Sequence, residues 1–168
     1  MDAVRVRPMR KDDLQSAERA SAVTFFEADR LSRRVSEPEM EPRSPAQSTQ
    51  WIDRMSHFLT VDSGGCRVAA DEDEVVGFAI SQNRGRLWYL ATYGVLPAHQ
   101  GRGLGQQLMD AVLAHAGDRQ GMFISTVHPG ATRRYRLAGF SLYPLMRMVG
   151  TVDRAGLHRS HEGRGGRQ

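Results

Sequence analysis

Three glycines alternate with other residues in "VLPAHQGRGLGQQLMDAVLAHA": Gly101, Gly103 and Gly105, interleaved with Arg102 and Leu104 and flanked by Gln100 and Gln106. One glycine makes a turn. Three in alternation, directly ahead of a helical apolar pattern, leave a run of backbone N–H groups bare. At a helix N-terminus such amides carry partial positive charge and bind a phosphate or diphosphate without a metal. A Cβ at residue 101, 103 or 105 holds the anion away from the amides or forbids the turn. The chemistry legible first is anion binding by main chain.

Three phosphate-cradle templates compete for "HQGRGLGQQ". The Walker loop requires Gly-Lys followed by Ser or Thr, to set an ammonium on the distal phosphates and a hydroxyl on magnesium, and neither is present. The dinucleotide fingerprint G-x-G-x-x-G needs glycine at position 106, which is Gln106, and a place after the first strand of a βαβ unit, whereas this loop follows the fourth strand. The third template, Q/R-x-x-G-x-G/A, is met by Gln100, Gly103 and Gly105. The bland reading is ordinary loop glycine in a chain that has 17. With Val95 and Pro97 forming V-x-P ahead of the loop and "HPGATRRYRLAGF" behind it, the chain resembles the GNAT superfamily of N-acetyltransferases. The resemblance runs in matching order over roughly residues 3 to 150, opening with "VRVRPMRKDDL".

That resemblance implies a mixed α/β fold: a mainly antiparallel central sheet with a parallel, splayed strand pair, flanked by about four helices. It implies acetyl-CoA as co-substrate and no metal, placed along Val95, Leu96 and Pro97 and then Gln100, Gly101, Arg102, Gly103, Leu104, Gly105 and Gln106. Exposed backbone around Val95 pairs with the pantetheine arm in such proteins, and His99 is expected to face solvent beside the loop. The family pattern asparagine-x-x-alanine-x-x-x-tyrosine, ending in Gly-Phe, is met by Ala131, Tyr135, Gly139 and Phe140. His128 stands where asparagine is common and either hydrogen-bonds the pantetheine arm or caps the helix.

Amide formation from a thioester needs a neutral amine held against the carbonyl, donors for the developing oxyanion and a proton for the departing thiolate. A phenol with a pKa near ~10 can give a proton to a thiolate whose conjugate acid has a pKa near ~8.5 at modest cost. Tyr135 is therefore the candidate general acid, and an amphipathic anchor for its helix is the competing reading. Arg133 and Arg134 either reach adenosine phosphates or are solvated. The central strand "RLWYLATYG" lacks the carboxylate that many relatives use to draw a proton off the amine. Glu27 and Asp29 are candidate bases, and water relayed through Tyr89, Thr92 or Tyr93 is the alternative.

These groups need a scaffold, and the periodicity supplies one. "AVRVRPM" alternates apolar and charged residues and predicts a first strand ending at Pro8. Asp12 or Asp13 is expected to cap a helix running through Arg30, and "SRRVSEPEMEPRSPAQ", with three prolines, predicts loop. Ser48 is expected to cap a short helix carrying Trp51, Met55, Phe58 and Leu59. "GCRVAADEDEVVGFAISQ" predicts a hairpin with an acidic turn, and "RLWYLATYGVLP" a long central strand. A helix from Gln106 to Ala116 follows, then "GMFISTV" as a strand buried on both faces. Pro129 and Gly139 bracket a last helix, and "FSLYPLMRMV" predicts a closing strand pair or one bent strand. A helix crosses over between the central strand and the next, so those two are expected to be parallel neighbours.

At 168 residues the chain suits one domain that buries roughly 70% of its unfolded surface without staples. The expected division is an acetyltransferase domain over 1–153 and a Gly- and Arg-rich tail or linker over 154–168. Cys66 is the sole cysteine, so no internal disulfide forms, and it is read as packing rather than as an acyl-carrying nucleophile. A reducing cytoplasm fits that usage, and no signal-like or membrane-spanning apolar run is seen. The net charge is +4, yet only Lys11 of the 23 basic residues is lysine and the arginines are scattered, so no nucleic-acid surface is legible. A homodimer is compatible with the sequence.

By the same resemblance the first two helices and their loop wall the acceptor pocket. Glu37, Glu39 and Glu41 there favour a cationic amine, largely offset by Arg33, Arg34 and Arg43. Phe25, Trp51, Trp88 and Tyr89 either line an aromatic pocket or pack the core. The leading expectation is direct acetyl transfer to a small-molecule amine or a peptide N-terminus. The alternative is a non-catalytic acyl-CoA-binding module, part of a longer two-module chain.

Overall fold

The computed structural model describes residues 4–33, 35, 37, 39–125 and 129–145. Strand β1 (Arg5–Pro8) leads through a 3-10 turn into helix α1 (Leu14–Ser32). Helix α2 (Pro45–Val61) follows, then β2 (Cys66–Asp71), β3 (Glu74–Arg84) and β4 (Leu87–Val95). After a further short turn come α3 (Leu104–Ala116), β5 (Gln120–Met122) and α4 (Pro129–Leu137). The five strands form one sheet in the order β1-β2-β3-β4-β5, antiparallel except for the parallel β4–β5 pair. This is the mixed, helix-flanked architecture expected from the pattern.

Two apolar layers hold the sheet. On one face α1 and α2 bring Ala17, Ala20, Trp51 and Met55 onto Val68, Phe78 and Ile80. On the other, Leu108, Met109 and Val112 of α3 and Tyr135 of α4 cover Val76, Ala79, Trp88 and Leu90. Cys66 is fully buried, its thiol donates to the Asp62 carbonyl at 3.7 Å, and burial pushes its pKa up to about 12.

Two irregularities of β4 open one end of the sheet. The β3–β4 register passes from Ile80↔Thr92 to Ser81↔Leu90, so Ala91 bulges out of the ladder. The β4–β5 ladder has only three pairs, ending at Tyr89↔Met122. Beyond Tyr89 the two strands part, and a cleft opens along the second half of β4.

Several expectations are corrected. Helix α2 starts at Pro45, not near Ser48, because Ser44 and Gln47 form a reciprocal capping box and Pro45 takes the first helical position. Asp13 occupies the cap position of α1, but its carboxylate caps nothing there. It accepts from both Arg7 guanidinium nitrogens at 2.7 and 2.8 Å and from the Arg10 N–H at 2.6 Å. Helix α3 starts at Leu104, two residues early, since Gly103 in the left-handed region at φ +80° turns the chain directly into it. Of the strand expected over "GMFISTV", only Gly121 and Met122 lie in β5 among the described residues, and Thr126 and Val127 lie outside them; Met122 and Ile124 are exposed where the ladder with β4 ends at Tyr89↔Met122. Residues 140–145 form no strand and expose Leu142, Tyr143 and Leu145. The rest of that expected closing strand, and the expected tail at 154–168, lie outside the described residues.

Candidate functional site

The cleft between diverging β4 and the chain after β5 has a volume of about 720 Å³. The parting of the strands makes it, and three elements floor it. Val95 and Pro97 continue β4 into the glycine loop, Gly101, Gly103 and Gly105 run along its edge, and Ala131 and Tyr135 of α4 close the far side.

The loop's geometry follows from its hydrogen bonds. The Gln100 side chain folds back and donates to the Val95 carbonyl at 3.0 Å, which pins the loop to the end of β4. The Leu96 N–H donates to Val76, so this residue still belongs to the β3 side of the sheet. Gly101 and Gly103 have φ of +77° and +80°, conformations an L side chain adopts only at a cost of about 1–2 kcal/mol. Gln106 and Gln107 both donate to the Gly103 carbonyl and tighten the first turn of α3. The backbone N–H groups of residues 101, 102, 103, 104 and 105 have no acceptor among the described residues. Five consecutive free amides at the positive end of a helix can receive an anion without a lysine.

Gly105 is glycine for a different reason. Its φ is ordinary, but a Cβ there would stand 2.6 Å from the Tyr93 phenolic oxygen. The three glycines expected to clear an anion therefore differ in role. Residues 101 and 103 supply the turn and face open space, whereas Gly105 makes room for a protein group.

Tyr135 is buried at the cleft wall, its ring centroid 4.3 Å from that of Phe123 and 6.2 Å from that of Tyr93. Burial pushes its pKa up, and a hydrogen bond with Ser125 partly opposes that. The phenol is thus a protonated donor at neutral pH. Arg134 of α4 donates to the Gln106 side chain at 3.2 Å, linking α4 to α3 across the mouth, and Arg133 is exposed on the cleft rim.

Other residues singled out in the sequence are distributed differently. Leu104, the first residue of α3, is buried in the core, and Arg102 borders a neighbouring open depression together with the acidic turn Asp71–Glu74. The side chains of Leu96, Arg102, Leu104 and Gln106 do not line the cleft, although their backbone adjoins it. His99 is half-buried and lines it, where solvent exposure was expected. His128 lies outside the described residues.

On the opposite wall α1 contributes Thr24, Phe25 and Glu27, and Glu27 is the sole carboxylate among the described residues lining the cleft. It pairs with Arg30 at 2.9 Å. Asp29 does not line the cleft and is engaged elsewhere. Thr92 of β4 lines it too, with its buried hydroxyl lacking a partner among the described residues. Tyr93 is not free to relay a proton. Its O–H donates to the Gly105 carbonyl at 2.8 Å, and burial, followed by the neighbouring Tyr135, pushes its pKa up to about 12.

Arg43 does not offset the loop glutamates as expected. It reaches α1, donating to Glu18 at 2.9 Å and Ser21 at 3.1 Å with its guanidinium 5.8 Å from the Trp51 ring centroid. Trp51 and Trp88 are core, whereas Phe25 lines the cleft. Thr24, Phe123 and Ser125 were not singled out by sequence reasoning, and their isolated positions carry no spacing signal that could have found them.

The model of the acetyltransferase (GNAT) family matches residues 26–140 of this chain. Among curated proteins none matches significantly. Solved structures with the same fold include PaiA N-acetyltransferase from Thermoplasma acidophilum in complex with coenzyme A, at 11% identity and TM-score 0.64, covering 84% of this chain and 92% of that one. A GNAT family acetyltransferase from Brucella melitensis in complex with acetyl-CoA matches at 19% identity and TM-score 0.57, covering 85% and 86%. A longer chain from Pyrococcus horikoshii matches at 16% identity and TM-score 0.61, covering 84% of this chain and 44% of that one.

Proposed function

Because the chain belongs to the acetyltransferase (GNAT) family, we propose that it moves an acetyl group from acetyl-CoA to a primary amine, on a small molecule or a peptide N-terminus, by direct transfer in a ternary complex. The observation that carries this reading is the run of free amides at residues 101–105 opening onto the same cleft as the Tyr135 phenol. The two ligand-bound neighbours, one holding coenzyme A and one acetyl-CoA, support it.

Acetyl-CoA supplies an activated thioester carbonyl, whose C–S bond breaks as the new C–N bond forms. The residues of this chain bind and orient it. Amides 101–105 and the dipole of α3 would hold the diphosphate, Val95 and Pro97 would border the pantetheine arm, and Ala131, one turn before Tyr135, would leave room for it. Tyr135 gives its phenolic proton to the departing thiolate and is reprotonated, through solvent, by the proton the amine nitrogen sheds as the amide forms. Glu27 draws the cationic form of the amine to the opposite wall, where it loses its proton to solvent before attack. Cys66, buried and protonated, takes no acyl group.

The absence of a carboxylate on β4 favours the second reading, a non-catalytic acyl-CoA-binding module. Measuring coenzyme A binding by calorimetry and thiol release across a panel of amines separates the two. Binding with release on at least one amine is expected, binding with none selects the module, and no binding ends both.

A further inference from the structure

Tyr93 ties the two ends of the cleft together. Its phenol donates to the carbonyl of Gly105, twelve residues on and in the first turn of α3, while its ring lies 6.2 Å from that of Tyr135. The site is shaped around this contact. A methyl at position 105 would meet the Tyr93 oxygen at 2.6 Å, but the ring carbon bearing that oxygen at 3.7 Å, an ordinary contact. Gly105 has no positive φ to require glycine, and the Tyr93 hydroxyl is the one group a methyl there would meet closer than van der Waals contact. The carbonyl that accepts this hydrogen bond belongs to the helix whose leading amides are free, so the phenol fixes the direction of that first turn relative to β4. A diphosphate and a thioester at opposite ends of one ligand need receptor groups at a fixed separation, and small misplacements of such groups are costly.

We infer that Tyr93 is a positioning residue for the coenzyme, a strut between β4 and the first turn of α3 that keeps amides 101–105 at a set distance from Tyr135. This rests on the acetyltransferase reading. The phenol stays a donor throughout the working pH range, since burial keeps it protonated up to about 12.

The test is a double-mutant cycle read as the coenzyme A dissociation constant by calorimetry, with circular dichroism on each variant. Tyr93→Phe removes one neutral hydrogen bond and is expected to weaken binding about fivefold. Gly105→Ala alone is expected to weaken it at least about tenfold, because the methyl collides with the phenol. In the double variant the collision partner is gone, so affinity should return to within about twofold of Tyr93→Phe. Losses that multiply in the double variant overturn the inference, as does Tyr93→Phe binding like the wild type. Should Gly105→Ala alone fail to fold, a folded, coenzyme-binding double variant supports the strut and an unfolded one overturns it. Wild-type protein that does not bind coenzyme A removes the acetyltransferase reading as well, whereas multiplying losses with intact wild-type binding remove the strut alone.

Discussion

The two walls of the cleft are built by different physics. The wall formed by residues 95–105 is main chain: two left-handed glycines, a glutamine folded onto a carbonyl, and five amides with no internal acceptor among the described residues. It is contiguous in the chain. The wall formed by α1 is side chain, and its placement depends on distant residues. Arg43 crosses from the loop ahead of α2 to Glu18 and Ser21, 25 and 22 residues away, and packs on Trp51. On the proposed reading the diphosphate would be met by backbone geometry, which is insensitive to side-chain drift. The acceptor would be met by side chains, which change independently. The difference between the walls is thus a difference in what must stay constant.

Four variants break or sharpen this contrast. Tyr135→Phe, which leaves both walls in place, should lower turnover at least about 10²-fold by removing the acid while coenzyme affinity stays within about twofold. Steady-state rates beside calorimetry decide it, and an unchanged rate removes Tyr135 from the acid role. Arg43→Ala strikes the side-chain wall. It leaves the buried Glu18 without its partner and should cost about 3 kcal/mol, roughly 6–12 °C in melting temperature, with coenzyme affinity preserved. A comparable loss of coenzyme binding would show that the two walls are not independent.

Gly103→Ala strikes the main-chain wall. Its φ of +80° makes any side chain strained by about 1–2 kcal/mol, so coenzyme affinity should fall about tenfold with little effect on acceptor KM. Titration calorimetry with kinetics on the best amine reads both. The last variant concerns Asp13, at the base of α1. Burial alone would raise its pKa, but the Arg7 guanidinium and the Arg10 N–H outweigh that and hold it below its ordinary value. A carboxylate depressed in the folded state contributes stability that is complete above its unfolded pKa and is lost as pH falls through the folded value. Asp13→Asn should cost about 2 kcal/mol at neutral pH and flatten the loss of stability as pH falls below the ordinary carboxylate range. Denaturant midpoints across that range would measure it, and parallel curves for both proteins would exclude the linkage.

The sheet was legible because its strands carry their own period and turn residues, and the acidic turn at Asp71–Glu74 fell where charge and hairpin spacing place it. Helix starts were less so. Ser44 and Ser48 both look like caps, and only Pro45 and the Gln47 reciprocity decide for the former. Asp13 looked like a cap because position alone does not reveal that Arg7 competes for its carboxylate. The strand after α3 was overread, since an apolar run signals burial but not whether a partner strand continues beside it.

From the chain alone came the family, the order of elements, the glycine loop ahead of α3 and the tyrosine four residues beyond a small alanine. All of these are local, and local backbone preference and spacing are written in adjacent residues. Only the tertiary structure decided where the strands part, that Glu27 lines the cleft, and that Arg43 braces α1. It alone showed that Gly105 makes way for Tyr93. These depend on segments far apart in sequence arriving at one place, and contacts of that kind leave no period to read.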